Sequence, residues 1–119
     1  MSYLLDTNVI SETVRAKPNK LVMQWFEQAP DDALHISVLS LGEIRKGVEL
    51  KAAGHQREAL RLWLEHKLPY WFGPRLLPVC ADVADKWGRL LGRQRRSLPA
   101  IDNLLAATAL HHGLSLPAM

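Results

Sequence analysis

Apolar positions along this chain alternate between two rhythms, and each change of rhythm predicts an element. Tyr3-Leu4-Leu5 is a short unbroken apolar run that reads as a buried strand ending at Asp6. Val9 to Arg15 reads as helical and stops before Lys17-Pro18. Asn19 is the N-cap expected for a helix through about Gln28, with Leu21, Val22, Trp25 and Phe26 on one face. Pro30-Asp31-Asp32 predicts a turn, and Leu34-His35-Ile36-Ser37 a second strand. A helix is expected from about Val38 to Ala53, with Gly54 as its C-cap. Gln56 to His66 reads as its antiparallel neighbour, turning Ala59, Leu60, Trp63 and Leu64 inward. Arg75 to Val79 is a weak third strand interrupted by Pro78. Asp82 starts a helix striped by Val83, Trp87, Leu90 and Leu91. Ser97-Leu98-Pro99 opens the last helix, and His111-His112-Gly113 closes it. Leu114-Ser115-Leu116 then begins a short strand beside the first, and Pro117 should stop its pairing. Strand and helix alternating at this spacing imply an α/β fold with a parallel sheet flanked by helices.

Length and composition narrow the class. The chain has 119 residues, read as one domain over 1–119. It is 48% hydrophobic and 23% charged, a globular balance. Its apolar runs all fall well short of the roughly 18 residues of a membrane span, so no membrane partner is expected. Acidic Asp6 arrives too early for a secretory signal. The single Cys80 cannot form an internal disulfide, which favours a reducing cytoplasm. A net charge of +3 permits a nucleic-acid partner without requiring one.

Three acids carry the candidate chemistry. Asp6 ends the first strand, at the sheet edge where open α/β folds bind ligands. Glu43 sits early in the helix after the second strand, and Asp102 in the first turn of the last helix. Each has an ordinary structural explanation. Asp6 suits a helix cap or Asx turn. Ser40-Leu41-Gly42-Glu43 matches a capping box. Asp102 complements a helix dipole. However, the stripe of Asp102 also holds Ala106 and Ala109, which predicts a buried or half-buried carboxylate in need of a cation. Mg²⁺ and Mn²⁺ favour carboxylate and water oxygens, and clustered carboxylates repel unless metal is bound. Adjacent His111 and His112 cannot share one helix face, which argues against zinc. An aspartate-nucleophile phosphatase is disfavoured, because Asp6-Thr7-Asn8 lacks a second Asp two residues on.

The segments Leu4-Leu5-Asp6-Thr7-Asn8-Val9-Ile10-Ser11-Glu12, Ile36-Ser37-Val38-Leu39-Ser40-Leu41-Gly42-Glu43-Ile44 and Ile101-Asp102-Asn103-Leu104-Leu105-Ala106-Ala107-Thr108-Ala109 together resemble the three acidic motifs of PIN-domain proteins, the VapC and FitB-type toxins above all. The likeness extends through Val83-Ala84-Asp85-Lys86-Trp87-Gly88-Arg89-Leu90. It implies a three-layer α/β/α fold around a central parallel sheet. It implies a Mg²⁺- or Mn²⁺-dependent endoribonuclease, the toxin of a toxin–antitoxin pair, with Asp6, Glu43 and Asp102 as metal ligands and catalytic residues. Asn8 would be a polar support beside them. It also implies a cognate antitoxin and a homodimer. Family members usually continue past the equivalent of Leu114-Ser115-Leu116 with a Thr-Arg-Asn-like turn, often bearing a fourth acid, and a final strand. Here Pro117-Ala118-Met119 follows, so a shortened final region with weakened metal binding and cleavage is expected. The alternative is an inactive, truncated PIN domain that binds an antitoxin or itself.

Lys86, Arg89, Arg93 and Arg96 recur at helical spacing, with Arg95 beside them. A solvated helix face explains such a stripe, and a track for RNA phosphates is the functional reading. Trp25, Trp63, Trp71 and Trp87 are expected in the core or at a dimer contact, with Trp71 the exposed interface aromatic.

Overall fold

The computed structural model describes residues 1–94 and 99–117. Its elements in order are β1 (Tyr3–Leu4), α1 (Thr7–Ser11), α2 (Lys20–Gln28), β2 (Leu34–Ser37), α3 (Val38–Leu50), α4 (His55–Leu62), α5 (Leu68–Phe72), β3 (Leu76–Leu77), α6 (Ala81–Arg93) and α7 (Ala100–His112). Short 3₁₀ turns follow α1, precede β2 and precede β3, and a π-helical turn, Trp63–Lys67, joins α4 to α5.

The sheet is parallel, in the order β1-β2-β3. Ser115 forms a parallel bridge with Tyr3. Successive amides of a strand point to opposite sides. Leu4 N–H donates to Ser115 O at 2.9 Å and Leu5 N–H to His35 O at 2.8 Å, so Ser115 and β2 flank β1 on opposite sides. The chain therefore leaves β1 in one direction along the sheet and returns on the other. β1 borders that topological switch point, and its carboxyl end carries Asp6.

Strand alternation divides the core into two layers. Leu5 and Leu34 face a large buried cluster with Ile10, Ile44, Val48, Leu68 and Phe72, built by α1 to α5. Leu4 faces the other way, onto Leu105 and Ala109 of α7. Leu76 and Leu77 of β3 divide in the same manner. α6 packs along α7 and completes the second layer. The result is the expected helix–sheet–helix sandwich.

Caps explain several boundaries. Asn19 Oδ1 accepts from the amides of Leu21 and Val22 at 2.9 and 3.2 Å, which fixes the start of α2 as its sequence predicts. Gly113 closes α7 with φ 66°, the left-handed conformation that glycine adopts without a Cβ penalty.

The structure corrects other expectations. α3 ends at Leu50, and Gly54, at φ 152°, is the N-cap of α4 rather than the C-cap of α3. Leu21 is 76% exposed, so the buried face of α2 is Val22 with the half-buried Trp25 and Phe26. Ala59 is exposed, whereas Trp63 and Leu64 are buried as expected. Of the α6 stripe only Val83 is fully buried, and Leu91 is 40% exposed. Trp71 is half-buried between Phe26 and Phe72, in a chain of ring contacts that runs back through Trp25 to Tyr3. The exposed aromatic is its neighbour Tyr70, at 92%. No helix among the described residues is long and apolar enough to cross a membrane.

Candidate active site at the carboxyl edge of the sheet

Asp6 stands where β1 gives way to α1. Its Oδ1 accepts the Asn8 amide at 2.9 Å, so it caps α1 in the manner an isolated reading predicts. One oxygen holds the turn, and the exposed carboxylate keeps acceptor capacity for a ligand. Asn8 contributes here through its backbone amide.

Glu43 comes to the same edge by way of β2. Ser37, the last residue of β2, caps α3 by accepting the Leu39 amide at 3.1 Å. Ser40 is therefore not a capping-box residue. It is fully buried one turn into α3, and Glu43 follows one turn later on the same side. Thr7 joins them: its Oγ1 is 2.6 Å from Glu43 Oε1 and 3.0 Å from Ser40 Oγ. Glu43 is thus tied to the residue directly after Asp6, across a separation of 36 residues in sequence.

Asp102 comes from the other layer. α7 turns at Gly113 into the Ser115 bridge, so it runs opposite to the strands and its first turn lies toward their carboxyl edge. Asp102 is exposed, not half-buried as its alanine stripe suggested. In that turn the buried polar side chain is Asn103, one position on and 3% exposed. It accepts from Gln94 Nε2 at 2.6 Å and donates to Pro99 O at 3.3 Å. A rotation of about 100° per residue carries that one-place offset from the exposed side of the helix to the buried one.

The structure therefore links Asp6 and Glu43 through Thr7, while no hydrogen bond joins Asp102 to either among the described residues. None of the three acids has a cationic partner there. No group of three or more histidine, cysteine, aspartate or glutamate side chains that could hold a metal ion is found among the described residues. The donor chemistry nevertheless suits magnesium. That ion keeps several waters and is commonly held by one or two protein carboxylates. Asp6 and Glu43 are exposed, anionic oxygen donors brought to one edge.

A cleft of about 730 Å³ opens beside this edge, lined by Thr7 and Glu43 and by Val14, Leu60 and Trp63. Its other charged residues are Arg15, Lys51 and Lys67. Arg15 is paired with Glu12 at 3.0 Å, so Lys51 and Lys67 are the cations of this cleft with no ion-pair partner among the described residues. Sequence reading missed these cations, because they come from three separate segments with no shared spacing. It also missed Thr7, although a hydroxyl directly after the first acid was a visible signal.

Lys86, Arg89 and Arg93 are exposed on α6, as their spacing requires, and Arg96 lies outside the described residues. Arg89 pairs with Asp85 at 2.9 Å, both side chains well exposed, so part of the stripe is compensated locally. A second surface network joins α3, α4 and the π-turn. The carboxyl group of Glu58 is held below its usual range by the hydrogen bond from Arg61, and that of Glu65 by the one from Arg45.

Comparison with known proteins identifies the fold and family. The PIN-domain family model matches residues 3–116. The chain is 33% identical to the toxin FitB of Neisseria gonorrhoeae, over 95% of this chain and 84% of that protein. It is 32% identical to the VapC ribonuclease Y4jK of Sinorhizobium fredii, over 92% and 81%. The crystal structure of FitAcB from Neisseria gonorrhoeae superposes with a TM-score of 0.88 at 32% identity, covering 96% of this chain and 84% of that one. A match across almost the whole chain, with Asp6 at the switch point of a parallel sheet, shows that the chain belongs to the PIN-domain family.

Proposed function

We propose that this protein is a divalent-metal-dependent endoribonuclease, the toxin of a toxin–antitoxin pair acting in the cytoplasm. The observation that supports this most is the 2.6 Å contact from Thr7 to Glu43, which links the second acid to the strand end that bears the first. Asp6, Glu43 and Asp102 are the residues that would hold Mg²⁺ or Mn²⁺, with Asn8 supporting Asp6 through its amide. Such a cation activates water and stabilises charge on a phosphodiester under in-line attack. The chain's own residues supply the rest. Lys51 and Lys67 draw RNA phosphates toward the cleft beside Glu43, while Arg15 there is already paired with Glu12. Lys86, Arg89 and Arg93 extend the basic surface along α6. The names of the two relatives, a toxin and a ribonuclease, support both the activity and an inhibitory antitoxin as partner. A homodimer is the assembly that fits this reading.

The test is RNA cleavage by wild type and Asp6→Asn, with Mg²⁺, Mn²⁺ or chelator. Cleavage should require the cation. The variant should lose about a hundredfold or more in rate, which corresponds to about 2.7 kcal/mol or more. Equal rates for the two proteins, or cleavage indifferent to chelator, would overturn the proposal.

A further inference from the structure

We propose that Thr7 is a positioning residue that aims the Glu43 carboxylate, acting as the middle of a relay from Ser40. This rests on the metal-site reading above. A hydroxyl carries one proton, yet Thr7 Oγ1 lies within hydrogen-bond distance of two oxygens, Ser40 Oγ at 3.0 Å and Glu43 Oε1 at 2.6 Å. An ionised carboxylate can only accept, so the Thr7 proton goes to Glu43. Ser40 must then donate to Thr7. The direction of the relay is therefore fixed: Ser40 Oγ–H to Thr7 Oγ1, and Thr7 Oγ1–H to Glu43 Oε1.

The two ends of the relay differ in environment. Ser40 is fully buried in α3, while Glu43 is exposed. A buried, backbone-fixed hydroxyl at one end orders a solvent-facing carboxylate at the other. Glutamate otherwise has freely rotating bonds at an exposed site, and ordering them would oppose cation binding. The relay occupies Oε1 and leaves Oε2 for the ligand. Thr7 itself is placed by the turn that Asp6 caps, so one short segment holds the first acid and aims the second.

The experiment measures Mn²⁺ affinity by titration calorimetry, with RNA cleavage and thermal unfolding in parallel. The proteins are wild type, Glu43→Gln, Thr7→Val, Thr7→Ala and Thr7→Ser. Thr7→Val keeps the shape and removes the hydroxyl. Thr7→Ala guards against a fold lost through the valine methyl. Both should weaken Mn²⁺ binding about tenfold, roughly 1.4 kcal/mol, and Thr7→Ser should restore it. Wild-type affinity in Thr7→Val and Thr7→Ala, with Glu43→Gln weakened, would overturn the positioning role alone. Absence of Mn²⁺ binding by wild type would overturn both the metal site and the relay's purpose. Weakened binding in all three Thr7 variants, or failure of both Val and Ala variants to fold, would make Thr7 a structural residue and overturn the proposal.

Discussion

The two layers on either side of the sheet contribute to the same edge in different ways. Among the described residues the α1–α5 layer holds a dozen buried residues, from Leu5 through Phe72, and Thr7, directly after Asp6, is bonded to Glu43. The α6–α7 layer has a core cluster of Leu4, Leu105 and Ala109, and its acid, Asp102, stands exposed with no bond to the others among the described residues. One half of the candidate site is joined by the hydrogen bonds of Thr7 to α3, on a thick core. The other half depends on how α7 docks against β1. A site built across layers of unequal strength can lose one wall while keeping the other.

The largest expected effect tests that inequality directly. Leu68→Ala in the thick layer should cost about 4 kcal/mol, and Leu105→Ala in the thin one about 2 kcal/mol, the two halves of the range for buried leucine. Leu68 is wholly enclosed, whereas Leu105 keeps 6% exposure and a smaller surround that can relax into the gap. Denaturant unfolding of both variants measures the difference, and equal costs would erase the contrast.

A smaller effect is expected at Gly113, where the thin layer is fastened to β1. A Cβ there would meet no neighbouring atom, so the cost of Gly113→Ala is the left-handed backbone alone, about 1 to 2 kcal/mol. Hydrogen exchange should show the Leu4 and Ser115 amides, which carry the bridge, losing protection before the amide of Leu5. Uniform loss would mean that the sheet opens as one unit.

The basic surfaces of the two layers should also differ. Each lost phosphate contact lowers the salt slope of RNA affinity by roughly 0.7 to 0.9. Arg93→Ala should show that loss, whereas Arg89→Ala should show less, because Asp85 already pairs with Arg89. Unchanged slopes in both variants would return the α6 stripe to a solvated face.

The smallest effect concerns pH. His112, at the end of α7, has its pKa lowered from 6.5, by burial first and then by the nearby His111 and His35. The unfolded chain thus binds a proton more readily there, so stability should fall as pH drops through about 6.5 and below. His112→Gln should flatten that dependence in thermal melts recorded between pH 5 and 8. An identical profile would show that His112 does not drive it.

Much of the architecture was legible where a residue acts on its own backbone. Asn19 marked the start of α2, Gly113 the end of α7, and Leu34–Ser37 the central strand, because caps, left-handed turns and apolar runs are local. The errors lie where faces are chosen. Gly54 precedes α4 rather than closing α3, since a glycine at φ 152° can stand on either side of a short connection. Trp71 was expected at the surface, but Phe26, far away in sequence, covers it. Asp102 was placed on the buried stripe, and the stripe is offset by one residue, to Asn103.

The same division runs through the site. The sequence by itself placed Asp6 at a strand end and Glu43 and Asp102 near helix starts, because those positions follow from local capping and hydrophobic rhythm. Tertiary structure alone decided that Thr7 reaches Glu43 across 36 residues, that Ser40 is a buried hydroxyl beside Thr7 rather than a cap, and that Arg15, Lys51 and Lys67 share a cleft. Those facts depend on how α1 packs against α3 and on which side of each helix meets the sheet. Local propensity fixes where an element begins, and only the packed core fixes which way it faces.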